Sequence, residues 1–271
     1  MGYYSGKLMG QIATLSNQAE VDSYISGLTT PLSSTQIGKL NTFVNSIKTG
    51  MGLTNLSDAF DVMYILAGET QESSLRNLVK RQHDGSKGLL ITYQQYEGFT
   101  GASAISSLDR RIDLNYNVVS DAVTLLKDSS SMGFYSRTSG SGATQQEMGA
   151  SGTSPYFTMQ VAFNGSKCYV EMSNNIGTGF PNTSRLGFFS ASRTNTNNYK
   201  VYKNGSVLGI ENVASQNLIN SKLYLLGGAV GYSSDIQMAF AFAGRGLTDA
   251  EMITLTNAIE TYMDSNGKGV I

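Results

Sequence analysis

A single cysteine, Cys168, occurs in 271 residues, so no disulfide within the chain can hold the fold together, and folding in a reducing compartment is expected. One histidine, His83, and no tryptophan are present. A metal centre needing two histidines from one chain is thereby excluded. Charge is scarce as well: 19 Lys+Arg face 20 Asp+Glu, 14% of the chain, for a net charge of -1. That balance argues against nucleic acid as a partner and against a protein that is basic overall and held to membranes by charge, since both need concentrated positive potential. No stretch reaches the roughly 20 apolar residues that span a bilayer. Residues 1–15 hold a lone Lys7 among scattered apolar positions. Neither membrane insertion nor a conventional export signal is expected, and synthesis in a cytoplasm is.

What is abundant points to β structure. Apolar residues make up 40% of the chain, with 30 Gly, 15 Tyr and 11 Phe, and the remainder leans on Ser, Thr and Asn, the composition of a turn-rich β protein. The first third nevertheless reads as helical. Ile37, Leu40, Val44 and Ile47 fall on one face of a helix over 33–47, started by Ser33 or Ser34 and stopped by Gly50 and Gly52. Further helices are expected over 19–25, over 57–68 through Phe60, Met63, Tyr64 and Ala67, and over 69–80 through Leu75, Leu78 and Val79. From Leu89 the period changes to two. Strands are expected over 89–96, 111–116, 132–137, 156–163, 168–172, 185–192, 199–203, 222–226 and 237–242. Asn164-Gly165 and Asn204-Gly205 supply type I′ hairpin turns. Residues 136–154 read as one long loop. Thr248 and Glu251 form a capping box ahead of a final helix through Met252, Leu255, Ile259 and Tyr262. A helical segment over 1–87 followed by an antiparallel sandwich and C-terminal helix over 88–271 is the expected organisation.

Residues that could carry chemistry are few. His83 beside Asp84 lacks the separation of a catalytic pair, and no Gly-x-Ser-x-Gly elbow accompanies it; a turn role is expected. Cys168 alternates within a strand as a buried, inert thiol. Glu147 and Glu171 are the two acids that a cleft could oppose for glycoside hydrolysis, but no closely spaced acidic triple is present and no enzyme is expected. Asp109, Asp113 and Asp235 are possible calcium ligands without a calcium-loop motif, so no cofactor is assigned. The aromatics at alternating positions read as core. Tyr135, Tyr156 and Tyr232, in or beside loops, are candidate contacts for a ligand or partner, together with Arg137 and Arg193.

Several linked segments resemble a known group. The runs 132–138 (MGFYSRT), 187–194 (GFFSASRT) leading to 199–205 (YKVYKNG), 111–117 (RIDLNYN) and 239–251 (AFAFAGRGLTDAE) are similar to the concanavalin-A-like, laminin-G-like jelly-roll domains of bacteriophage virion proteins. The resemblance covers about 89–271. It implies a jelly-roll sandwich with a packed C-terminal helix, in a tail fibre, head fibre or capsid decoration protein. It also implies other virion proteins and a host-surface glycan as partners, the virion as location, and homo-oligomerisation, for which a trimer suits a fibre. The face Ile37, Leu40, Val44 and Ile47 is the candidate assembly surface, with packing inside the chain as its alternative. A free lectin-like module and a polysaccharide depolymerase are the rival functions.

Overall fold

Residues 156–163 and 167–174 alternate apolar and polar side chains, and in the computed structural model they form a hairpin that turns its apolar row inward. The residues described are 18–103, 108–141, 145–150, 152, 154–175, 177–228 and 233–271. In chain order the helices are α1 (Ala19–Ile25), α2 (Ser34–Met51), α3 (Gln71–Ser74) and α4 (Asp249–Ser265). The strands are β1 (Phe60–Tyr64), β2 (Ser86–Lys87), β3 (Thr92–Gln94), β4 (Gly98–Thr100), β5 (Ile112–Asn117), β6 (Ser130–Ser136), β7 (Met148–Ala150), β8 (Tyr156–Phe163), β9 (Lys167–Asn174), β10 (Phe180–Pro181), β11 (Gly187–Arg193), β12 (Tyr199–Lys203), β13 (Ser206–Glu211), β14 (Lys222–Leu225) and β15 (Gln237–Gly244).

Two antiparallel sheets face each other. One runs β13-β12-β11-β6-β15-β4-β3, with β1 also paired to β15, and the other runs β10-β9-β8-β7-β14-β5-β2. Between them lies a core that includes Tyr64, Leu114, Phe134, Met159, Val170, Phe189 and Leu225. A second core, including Phe43, Ile47, Phe60, Phe188, Phe240, Leu255 and Tyr262, fills the space between the outer face of the first sheet and the helices. The molecule is thus a mainly β, jelly-roll-like antiparallel sandwich with helices, α4 among them, layered on one side.

Local chemistry accounts for the elements that match expectation. The Ser33 hydroxyl accepts from the Gln36 amide at 3.3 Å, and Gly52 ends α2 in the left-handed region at φ 66°. Thr248 and Glu251 cap α4 reciprocally. Asn164 and Gly165 (φ 50° and 72°), like Asn204 and Gly205 (51° and 76°), adopt the positive φ pair of tight hairpins.

The helix expected over 57–68 is instead a 3-10 turn at Leu56–Asp58 followed by β1. Val62 and Tyr64 enter the sandwich core while Phe60 and Met63 enter the helix-side core. A strand covered on both faces is apolar throughout, so its period of two vanishes and chance spacings mimic a helix. β1 lies within the first 87 residues, yet it pairs with the last strand: Met63 stands opposite Phe242. Over 69–80 a single helical turn forms, α3, because Ser73 and Ser74 bond back to Thr70 O and Asn77 takes the Met63 and Val79 amides. The strand expected over 89–96 shrinks to β3, and β7 emerges inside the expected loop 136–154.

Candidate functional site

The outer face of the β8–β9 hairpin carries Thr158, Gln160, Tyr169 and Glu171, the positions that alternate with core residues Phe157, Met159, Cys168 and Val170. Cross-strand pairing places Thr158 opposite Glu171 and Gln160 opposite Tyr169. Together with Phe163, Asn175 and Gly177 these side chains line an open hollow of about 440 Å³. The Phe163 and Tyr169 rings meet edge to face, centroids 5.3 Å apart at 82°. Lys167 stands at the rim, its Nζ 6.0 Å from the Tyr169 centroid.

Gly177 belongs to the lining, and Gly179 lies against the Tyr169 ring. The chain leaving β9 folds back over Tyr169, and a Cβ on Gly179 (φ 73°) would lie 2.7 Å from its ring, while one on Gly177 would lie 3.1 Å from Val170 O. Only residues without a side chain let backbone lie this close to the ring. On the other side Thr158 Oγ1 donates to Glu171 Oε2 at 3.0 Å. Burial nonetheless raises the Glu171 carboxyl above the ordinary glutamate range, and the Thr158 bond only partly offsets this. Among the described residues Glu171 is the one charged side chain that lines the hollow. Aromatic edge, hydroxyl, amides and one carboxyl acceptor suit a ligand with many hydroxyl groups and at least one apolar face.

Glu147 does not join Glu171 there. It is fully buried, takes Arg185 Nε at 3.0 Å and the Val161 amide at 2.9 Å, and burial lifts its carboxyl to about 7. The remaining candidates are largely occupied within the fold. Tyr135 is buried, donating to Glu260 at 2.5 Å and accepting from the Val270 amide at 2.7 Å. Arg137 pairs with Glu97 at 3.0 Å, and Lys268 reaches the same carboxylate. Arg193 is buried over the Tyr199 ring, 5.0 Å to the centroid, and donates to the carbonyls of Met172, Thr196 and Val213. Tyr156 is half-buried at the start of β8, opposite Asn174, outside the residues lining the hollow. Tyr232 lies outside the described residues.

Leu40, Val44 and Ile47 are fully buried and Ile37 packs against the same cluster, so the candidate assembly face is used inside the chain. His83 Nδ1 sits 2.6 Å from Asn115 O and its ring meets Tyr116 edge to face. Cys168 is buried, and burial raises its thiol far above the ordinary range. Asp113 is paired with Lys222 at 2.8 Å and Asp235 accepts from Ser141 and Gln145. Among the described residues no three acidic, histidine or cysteine side chains converge as metal ligands.

A second hollow of about 550 Å³, beside the start of α4, is larger and includes Asn195, Asn198, Lys200 and Asp249. Among the described residues its only ring, Tyr202, is buried and donates to Asp249 at 2.7 Å. Aromatic surface is therefore on offer in the β8–β9 hollow and withheld here. Of that hollow's residues only Glu171 stands out in the sequence; the alternation on either side of Asn164-Gly165 is the signal that points to the others.

Among solved structures, the chain is similar to the binding domain of botulinum neurotoxin serotype G, with TM-score 0.54 and 14% identity over 74% of this chain and 51% of that one. The receptor binding domain of botulinum neurotoxin D gives TM-score 0.51 and 10% identity over 75% and 53%. The binding domain of Paraclostridial Mosquitocidal Protein 1 gives TM-score 0.54 and 10% identity over 76% and 53%. The match spans about half the length of each, and at such identities the likeness is one of fold. No known protein-family model and no curated protein matches the chain.

Proposed function

We propose that this protein is a non-catalytic recognition module that binds a surface carbohydrate in the hollow over Tyr169 and Glu171. The observation that carries the reading is the pairing, on one rigid hairpin, of the Phe163–Tyr169 aromatic corner with the Thr158–Glu171 hydrogen-bonding pair. A sugar ring has an apolar face for the first and hydroxyl groups for the second. A single carboxyl in the hollow provides an acceptor but not the two opposed acids of general glycoside hydrolysis. Receptor-binding modules with the same sandwich architecture support the reading by analogy of fold.

The test is a glycan array followed by titration calorimetry on the best ligand. Tyr169→Ala is expected to weaken binding at least tenfold, in line with about 1.4 kcal/mol per decade, and Glu171→Gln to weaken it less. Changing Lys200→Ala in the second hollow leaves affinity unchanged. Retention of no glycan, or equal retention by Tyr169→Ala, sinks the proposal.

The setting proposed for the module is a bacteriophage particle, as a tail fibre, head fibre or capsid decoration, with other virion proteins and further copies of this chain as neighbours. The sequence resemblance alone supports that part. Immunogold labelling of purified particles tests it: absence of label favours a free lectin-like module.

A further inference from the structure

One lysine turns toward the core of the sandwich instead of away from it. Lys203 ends β12 opposite Phe189, a residue of the core between the sheets, and its Nζ stands 5.1 Å from the centre of that ring. There it donates to Asn182 Oδ1 at 2.9 Å and to Ser184 O at 3.5 Å. Among the described residues no carboxylate lies within ion-pair reach of it. Burial therefore works against the charged form and lowers the lysine below its ordinary range. A half-buried amine that gives up its proton readily is a nucleophile.

Asn182 is held in place to meet it. It directly follows β10 and is 7% exposed. Its backbone amide donates to Ser166 O at 2.9 Å, and its Nδ2 donates to Val161 O and, at 2.8 Å, to Ser184 O. Those carbonyls fix which end of the carboxamide is nitrogen, so Oδ1 is the end presented to Lys203. A third group shares the same anchor: the Val161 amide donates to Glu147 Oε2 at 2.9 Å. Asn182 and Glu147 thus grip the two polar groups of one residue. Amine, carboxamide and carboxyl are brought together by side chains from both sheets, an arrangement that replaces chance encounter with fixed approach.

We propose that Lys203 and Asn182 join in an isopeptide bond that ties one sheet to the other, with Glu147 carrying the proton. The lone pair of the neutral Lys203 amine forms a bond to Asn182 Cγ, and the carbonyl π pair moves onto Oδ1. As that pair returns, the Cγ–Nδ2 bond breaks. Glu147 takes the proton that the attacking nitrogen gives up and passes it to Nδ2, which leaves as ammonia. Nothing is oxidised or reduced, and no co-reactant is consumed. The product is a neutral amide where a poorly solvated ammonium stood. It closes a stretch of 21 residues covalently, which removes conformational freedom from the unfolded chain.

Intact-mass spectrometry of the full chain, purified folded and then denatured, tests this. The unaltered protein is expected to be lighter than its sequence by one ammonia, while Lys203→Arg and Asn182→Ala keep the full mass and Glu147→Gln accumulates the unlinked form. Trypsin should release the peptide holding Asn182 joined to one that runs uncut through Lys203, a result that needs no variant to fold. Full sequence mass in the unaltered protein overturns the proposal. So does an ammonia loss that persists in Lys203→Arg, since ring closure at Asn164, Asn204 or Asn266, each followed by glycine, gives the same mass without a linked peptide. Complete linkage in Glu147→Gln overturns the proton route.

Discussion

The Tyr116 hydroxyl donates to Asp61 Oδ2 at 2.8 Å inside the protein, joining a β5 residue to β1 across the sandwich. Asp61 is buried and also accepts from the amides of Val123, Thr124 and Leu125 and from the Thr124 hydroxyl, at 2.8–3.1 Å. One carboxyl thereby anchors the loop after β5 to β1. Asp61→Ala would strand those donors in the interior, and each buried unsatisfied group costs about 1–3 kcal/mol. Urea unfolding should show a loss of at least about 3 kcal/mol, with Asp61→Asn losing less because it keeps one acceptor.

Glu147 gives stability a pH dependence. Its carboxyl rises to about 7 in the fold through burial, only partly countered by the Val161 amide and Arg185, against an ordinary value near 4.5. The folded state therefore binds this proton more tightly than the unfolded chain does. The contribution is fully present below about pH 4.5 and is lost as pH rises through about 7, on the order of 3 kcal/mol in all. Urea midpoints measured between pH 5 and 7.5 should fall more steeply for the unaltered protein than for Glu147→Gln.

Gly179→Ala places a Cβ 2.7 Å from the Tyr169 ring and forces a left-handed backbone at φ 73° on alanine. The backbone strain alone is about 1–2 kcal/mol. Thermal unfolding should register that loss, and the displaced ring should weaken glycan binding, while Gly165→Ala, with no atom within 4 Å of the added Cβ, carries only the strain.

Cys168 is expected to resist alkylation in the native state, since it is buried in the sandwich core and burial holds it as the thiol. Iodoacetamide labelling should follow the opening of the sandwich, becoming fast once urea unfolds the protein. Rapid labelling under native conditions would contradict the placement.

The groove was half legible beforehand. Alternation and Asn164-Gly165 define the β8–β9 hairpin, so Thr158, Gln160, Tyr169 and Glu171 share a face by arithmetic. The backbone over Tyr169 was not legible, because the chain beyond β9 turns back by tertiary contact. Arg193 shows the opposite failure. A cation in a polar stretch looks available, yet neighbouring carbonyls of Met172, Thr196 and Val213 draw it inside. Tyr135 is lost to solvent likewise, because Glu260 and Val270 from the chain's end cover it.

By itself the sequence determined the elements whose signals are local: caps at Ser33 and Thr248, positive-φ hairpin turns, the period of two, and a β sandwich held without disulfides. These depend on neighbours a few residues away, and side-chain chemistry alone decides them. Tertiary structure decided that 60–64 is a strand, because apolar layers on both faces erase its periodicity and only pairing with Gln237–Gly244 distinguishes it from a helix. It also decided which polar groups face solvent and which serve as internal anchors, since that depends on residues far along the chain that arrive only when the two sheets and α4 close together.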